Sequence, residues 1–358
     1  MQGLWRAGAG LWHDAFGDAE RPATGGEEGR FLQVTEGAAA TIAPPAPDHV
    51  ARFEADLARL RPSRSETLAV AVSGGPDSLA LLLLAAAALP GRIAAVTVDH
   101  GLRPEAAGEA QFVAEICEAL SVPHSILRVT VADDPAGLQA TARRERYAAM
   151  ARWAHTESVG ALATAHHLDD QAETVLMRLD RGAGVAGLAG IRPERSLAEG
   201  VQLIRPLLGW RRSLLAGIVR GAGIVAIDDP SNRDPRFDRV AVRARLAAGW
   251  PDPEGLASVA SHMAEAEEAL SVTADSLFDT RFDREAATLM AQDLPRELRR
   301  RLLVKALKRL AGDSPLRGDE VDRLIDRLAG NQVSTLAGLR IDPGPPWRFT
   351  TAPPRRSA

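Results

Sequence analysis

The chain has 358 residues, a formal net charge of −4 and 46% hydrophobic residues. That length exceeds one ordinary domain and predicts two, while the single cysteine, Cys117, excludes a disulfide framework or a cysteine-rich metal site. No apolar run is long enough to span a bilayer, and the slight acidic excess excludes a globally basic nucleic-acid protein, so any RNA contact has to come from local patches.

Residues 1–48 are Gly/Ala/Pro-rich and end in Ala-Pro-Pro-Ala-Pro, which predicts a poorly ordered extension. Its first twenty residues lack a basic stretch followed by an apolar one, so no secretory signal is expected. A helix is expected over 48–60. Strands are expected near 67–73, 92–98, 124–131, 161–166 and 223–227. Helices are expected near 77–89, 104–121, 138–158, 169–181 and 210–222. That alternation predicts an α/β fold: a doubly wound parallel sheet with helices on both faces. Trp250-Pro251-Asp252-Pro253 reads as a boundary. Beyond it, helices fill about 254–329 and a β-hairpin turns at Pro343-Gly344. The expected division is an extension over 1–48, a catalytic domain over 49–248 and a smaller, mainly helical domain over 249–358.

Within this plan the run Ser73-Gly74-Gly75-Pro76-Asp77-Ser78 lies between an apolar strand and a Leu/Ala-rich helix. Strand, Gly-rich loop and helix N-terminus together make an anion site. Glycines let backbone N–H groups converge on a phosphate. Ser73 and Ser78 add hydroxyl donors, and Asp77 adds a carboxylate able to hold Mg²⁺. There is no Gly-Lys-Ser/Thr, so this is not a Walker loop. A loop without lysine suits a pyrophosphate leaving group better than γ-phosphoryl transfer.

A second cluster follows the strand at 161–166. His166, Asp170 and Glu173 stand at i, i+4 and i+7, so the two carboxylates share a helical face with the imidazole at its mouth. Strand C-termini of open α/β sheets are where ligands bind. A pocket of this kind suits a cationic amine and Mg²⁺. His-His-Leu-Asp-Asp-Gln-Ala-Glu is not the His-Glu-x-x-His of a metalloprotease.

The loop SGGPDS resembles that of the N-type ATP pyrophosphatases (PP-loop proteins), which activate an oxygen as an adenylate before a nucleophile attacks. Residues 164–190, from Thr-Ala-His-His-Leu-Asp-Asp-Gln-Ala-Glu onward, resemble the second signature of the tRNA(Ile)-lysidine synthetase family. Val98-Asp99-His100-Gly101-Leu102-Arg103, Ala142-Arg143-Arg144-Glu145-Arg146-Tyr147 and Asp229-Pro230-Ser231-Asn232-Arg233-Asp234 through Arg239 match further family segments in order. The chain ends too early for the additional C-terminal domain of some members, so it resembles the short form.

The resemblance implies a ligase. ATP adenylates the C2 oxygen of the wobble cytidine in the CAU-anticodon isoleucine tRNA, free L-lysine displaces AMP, and lysidine forms in the cytoplasm. It implies ATP and Mg²⁺, with Ser73, Gly74, Gly75, Pro76, Asp77, Ser78 and the backbone at Val98 around the nucleotide. Asp77 is the first candidate for Mg²⁺. Asp170 and Glu173 are expected to hold lysine. Arg146 is expected on a phosphate or carboxylate, and His166 on a reacting group. Arg236 and Arg239 are expected at the tRNA.

Charge density adds two RNA candidates. Residues 204–245 hold nine arginines against four aspartates, and residues 296–309 hold seven cations against Glu297. In the latter, Arg300 and Arg301 are expected on the outer face of an amphipathic helix. Two other classes remain open. A sibling tRNA thiolase needs a reactive cysteine, whereas Cys117 stands alone in a helix. A non-catalytic nucleotide-binding RNA module needs the loop but not the second cluster. The oligomeric state is left open between monomer and homodimer.

Overall fold

The computed structural model of the chain describes residues 42–60, 67–101, 106–130, 138–227, 238–312 and 316–353. Most of the extension expected over 1–48 lies outside them. From Ile42 the chain is seated: Ile42 packs on the core and Ala43 N–H donates to the Ala222 carbonyl.

The apolar runs of the first half become strands because successive residues feed two packed layers. In β1 (Leu68–Ala71), Leu68 and Val70 face one layer and Ala69 the other. The first layer contains α1 (Pro47–Leu60), α2 (Pro76–Ala88), α3 (Ala106–Ala119) and α7 (Arg212–Gly221). The second is α4 (Leu138–Thr156), whose Met150 and Ala154 pack with Ala69, Val96, Leu162 and Leu203. Helix α2 is apolar nearly all round because Ser78 to Ala85 and Ala88 are all buried.

β2 (Ile93–Asp99), β3 (His124–Arg128), β4 (Ala161–Ala163), β5 (Glu194–Ala198) and β6 (Val201–Ile204) complete a six-stranded sheet. Its order is β3-β2-β1-β4-β6-β5, and only β5 runs antiparallel to its neighbour. Successive strands leave β1 in one direction as far as β3, and then in the other as β4 and β6. The crevice therefore opens between the C-terminal ends of β1 and β4, where such sheets bind ligands.

One expected strand is corrected. Residues 223–227 join no ladder; Ile227 N–H instead donates to the Gly74 carbonyl at 3.0 Å. β6 takes the fifth parallel position, reached from β5 through a two-residue turn in which Gly200 has φ +73°.

α5 (Leu168–Asp180) and the short α6 (Val185–Leu188) follow β4, and α8 (Asp238–Ala247) leads to α9 (Pro253–Arg281). Asp252 caps α9 by accepting Gly255 N–H at 3.0 Å. The first half of α9 packs on α5 and α6, and its second half puts Ala274 into a second core. That core is closed by α10 (Arg296–Ala311), α11 (Gly318–Ala329) and an antiparallel sheet. The sheet's order is β7 (Phe282–Asp283), β8 (Thr288–Leu289), β11 (Trp347–Thr351), β10 (Leu339–Asp342), β9 (Ser334–Leu336). The expected hairpin is β10–β11, widened by strands that the sequence reading placed in helices or left out.

The basic face expected on α10 is also corrected. Arg301 pairs with Glu267 of α9 through two bonds of 2.9 and 2.6 Å, and with Glu297 at 2.8 Å. Arg300 lies 3.2 Å from Asp322 of α11, Arg296 pairs with Asp326, and Lys305 pairs with Asp275. These cations lace α10 to its neighbours, and Arg301 keeps only 13% of its side chain exposed. Charge counting along one helix did not see acids arriving from two others.

Trp210 ties the first layer to the sheet end. Its ring is fully buried, its indole N–H donates to Asp56 at 2.9 Å, Arg52 lies over it at 4.3 Å, and its carbonyl accepts Leu168 N–H. Trp210→Ala is expected to cost about 3–5 kcal/mol, because it empties a volume its neighbours cannot refill. Trp210→Phe is expected to cost less. Urea titration of both variants measures this, and an unchanged midpoint for the alanine variant refutes it.

Candidate active site

The crevice is built first by the loop after β1. Gly74 has φ +79°, which favours glycine, and a Cβ there would lie 2.5 Å from Ile227 Cδ1 and push that side-chain end aside. Gly75 caps α2 with extended dihedrals and Pro76 opens the first turn. Ser78 Oγ donates to the Gly75 carbonyl at 3.0 Å and accepts Ser73 N–H at 3.1 Å, with Ser73 Oγ 3.2 Å away. The loop is thus preformed, with the N-terminus of a 13-residue helix behind it.

The opposite wall comes from β4 and α5, and each residue there has a separate task. His166 reaches the crevice, with Nδ1 3.1 Å from Thr164 Oγ1. Burial pushes its pKa down to about 4, aided by Arg205, Arg143 and Arg239 against the pull of Asp170, so the ring is neutral near pH 7. His167 caps α5 in a reciprocal arrangement: Asp170 N–H donates to Nδ1 at 3.3 Å and His167 N–H to Asp170 Oδ2 at 3.1 Å. In the neutral ring this leaves the proton on Nε2, which lies 3.4 Å from Asp77 Oδ2 and 3.5 Å from Asp170 Oδ2. Burial lowers the His167 pKa, but Asp77, Asp170 and Asp169 outweigh it and the net direction is upward. Asp169 Oδ2, 3.7 Å from His167 Nδ1, accepts Arg212 N–H at 2.7 Å and so fixes the start of α7.

Sequence reasoning singled out His166 and passed over His167. The signal was present: a residue immediately before an acid-rich first turn is a capping position. Histidine is simply not an expected cap.

The carboxylates on α5 are not free. Asp170 Oδ1 accepts from Arg239 Nη2 at 2.8 Å, and Glu173 accepts from Arg239 Nε and from Arg243 Nε, the latter at 2.6 Å. Glu173 has 3% of its side chain exposed. Burial raises the Asp170 pKa, yet His167, Arg239 and His166 outweigh it and hold the carboxyl below its ordinary range. The carboxylates expected to hold lysine thus already have two guanidinium partners, both from α8. Arg239 faces these carboxylates in this state. Arg236 and most of the Asp-Pro-Ser-Asn segment, Asp229 to Asp234, lie outside the described residues.

A cavity of about 530 Å³ joins both walls and is also lined by Arg146, Val98 and His100. Val98 presents backbone to it for a topological reason. The β1 ladder ends with Ala71 opposite Val96, and Val72 N–H bonds the Val96 carbonyl at 2.9 Å. Val98 shares the parity of Val96, so its N–H and C=O face the space beyond the last residue of β1. Asp77 Oδ1 is buried and has no hydrogen-bond partner among the described residues.

Gly74→Ala is expected to destabilise the fold by about 1–3 kcal/mol, mainly from the disfavoured φ. Gly75→Ala, whose Cβ would meet only Ser73 Oγ at 3.8 Å, is expected to cost less than about 1 kcal/mol. Equal unfolding midpoints for the two variants would refute the assignment of strain to Gly74.

Residues 49–249 match a family profile described as a PP-loop domain. The tRNA(Ile)-lysidine synthase of Zymomonas mobilis is 47% identical over 301 residues, covering 82% of this chain and 91% of that protein. That of Novosphingobium aromaticivorans is 46% identical over 312 residues, covering 86% and 94%. Among solved structures, the U34-tRNA thiolase NcsA from Methanococcus maripaludis superposes with a TM-score of 0.51 at 18% identity, covering 61% of this chain and 78% of that one, a likeness of fold alone. With its pyrophosphate loop and its His-His-Leu-Asp-Asp-Gln-Ala-Glu segment facing one another across the sheet's switch point, the chain belongs to the tRNA(Ile)-lysidine synthase family of PP-loop proteins.

Proposed function

We propose that the chain is an ATP-dependent ligase that joins L-lysine to C2 of the wobble cytidine in the CAU-anticodon isoleucine tRNA. The O2 atom of cytidine attacks the α-phosphate of ATP, pyrophosphate leaves, and the amine of lysine then attacks C2 and expels AMP. The observation that carries the reading is one cavity lined both by the pyrophosphate loop and by His166 and Asp170 at the start of α5, in a chain of this family.

The loop's part is to receive the departing pyrophosphate on backbone N–H groups, the α2 N-terminus and the hydroxyls of Ser73 and Ser78. Asp77 fits Mg²⁺, since its Oδ1 is buried without a partner. The described residues contain no group of three His, Cys, Asp or Glu side chains arranged for a metal. One carboxylate plus substrate phosphates is how Mg²⁺ is commonly held. Such an ion would neutralise charge on the phosphates as pyrophosphate departs. In this reading the backbone of Val98 meets adenine and Arg146 meets a phosphate or a carboxylate.

Asp170 and Glu173 form the lysine site in this reading. Arg239 now occupies them, and the incoming ammonium competes with its guanidinium for the same oxygens. His166, neutral near pH 7, is the candidate to accept a proton from the attacking amine. Substrate and co-substrate assign the enzyme to the cytoplasm, and no helix among the described residues is long and apolar enough to cross a membrane.

The thiolase alternative needs a nucleophilic sulfur. Cys117 is fully buried in α3, and burial pushes its thiol up to about 12, which removes the thiolate.

Purified protein incubated with ATP, radiolabelled lysine and unmodified tRNA is expected to move label into RNA, dependent on ATP; no incorporation rejects the reading. Asp77→Asn is expected to lower turnover about 100-fold or more in a folded protein. Near-normal turnover would remove Asp77 from the metal. Glu173→Gln is expected to raise the KM for lysine about tenfold while ATP affinity stays within about twofold, since only one of the two pockets changes. A collapse of ATP affinity with unchanged lysine KM reverses the two assignments.

A further inference from the structure

Three guanidinium groups converge on one ring outside the pyrophosphate loop, and a fourth lies beside it. Arg143, Arg146 and Arg195 stand with their guanidinium carbons 5.4, 5.8 and 4.7 Å from the centroid of Tyr147, the only tyrosine of the chain. Arg205, 5% exposed, lies beside Tyr147 and donates to the Arg192 carbonyl at 2.6 Å, while its buried Nε has no partner. None of the four has an ion pair with a carboxylate among the described residues.

Several other arginines differ. Arg239, Arg243, Arg296, Arg300 and Arg301 all face acids. Burial and mutual repulsion hold Arg146 and Arg205 below the ordinary arginine range, with Tyr147 opposing the shift. Cation–π contact with Tyr147 offsets part of such a cost. The remainder calls for an anion.

The position of the cluster says which anion. α4 covers the face of the sheet opposite α2, so the cluster and the pyrophosphate loop approach the cavity from different layers. Arg143, Arg146 and Tyr147 line the cavity, whereas Arg195 is exposed on β5, the outermost strand. The positive charge thus runs from the cavity wall to the sheet edge. A nucleotide seated on the loop does not extend to that edge; a polymer of phosphates entering the cavity by one base does.

We propose that Arg143, Arg146, Arg195 and Arg205, arrayed around Tyr147, form a phosphodiester site that grips the tRNA backbone next to the nucleotide inserted in the cavity. The inference rests on tRNA as the substrate. Arg195 and Arg205 come from the β5–β6 hairpin, so that hairpin becomes an RNA-positioning element and not merely a cover for the sheet edge.

Arg195 gives the clean test, because its side chain is exposed and its loss leaves no buried charge. For Arg195→Ala the affinity for unmodified tRNA is expected to fall about 3- to 10-fold at moderate salt, and the slope of log affinity against log salt to become shallower by about one. Arg195→Lys is expected to recover most of the affinity, since a point charge still meets a phosphate. ATP affinity, lysine KM and the urea midpoint are expected to stay unchanged. Single methylphosphonate substitutions through an anticodon stem-loop then locate the contact: at one position the wild type loses affinity and Arg195→Ala does not. Unchanged tRNA affinity and slope overturn the proposal, as does a loss in ATP affinity or lysine KM in their place, which would assign the cluster to that smaller anion. Wild-type protein that incorporates lysine into tRNA while Arg195→Ala binds it normally leaves the ligase reading standing and removes only this site. Wild-type protein that binds no tRNA removes both.

Discussion

His167, with 1% of its side chain exposed, stands between Asp77 on the first helix of the loop and Asp170 on the helix after β4. The two residues are far apart in sequence and reach each other only because β1 and β4 are neighbours at the switch point. A buried imidazole among three carboxylates is stable as long as each keeps its geometry, and removing one partner leaves the others badly compensated. The contact therefore sets the distance between the pyrophosphate loop and the α5 carboxylates. Through Asp170 it also sets where Arg239 rests, and through Asp169 the start of α7.

Two sets of arginines do opposite things. One set neutralises acids and acts as mortar: Arg239 and Arg243 hold α8 on α5, while Arg296, Arg300 and Arg301 hold α10 between α9 and α11. The other set, around Tyr147, meets other arginines and a ring. A formal charge of −4 contains neither fact. What distinguishes a docking surface from a stitched helix is whether acids from other elements reach the same cations, and that is decided in three dimensions.

The parallel sheet, the loop and the cluster at 166–173 were legible because each depends on local chemistry. A glycine pair before a helix and acids in a first turn carry their meaning in a few residues. The strand expected at 223–227 was not a strand, because an apolar run says nothing about whether a neighbour is available to bond it. The β5–β6 hairpin escaped notice because Glu194, Arg195 and Ser196 are exposed on an edge and show no apolar alternation. The partners of Glu173 were invisible for a third reason. Arg239 and Arg243 lie 66 and 70 residues away, and helical spacing pairs only residues within a turn or two. Conversely, reading Arg300 and Arg301 as an outer face treated one helix as if it stood alone.

Cys117 offers a consequence of a different kind. It is the chain's single thiol, it lies in the core that supports the loop, and its acidity is suppressed by burial. A thiol reagent can modify it only when α3 separates from the sheet, so the labelling rate is a clock for opening of that one layer. The second core, around Ile341 and Trp347, holds no cysteine and is silent in the same experiment. The protein thus carries a native chemical stopwatch that times the breathing of its nucleotide half separately from that of its helical half.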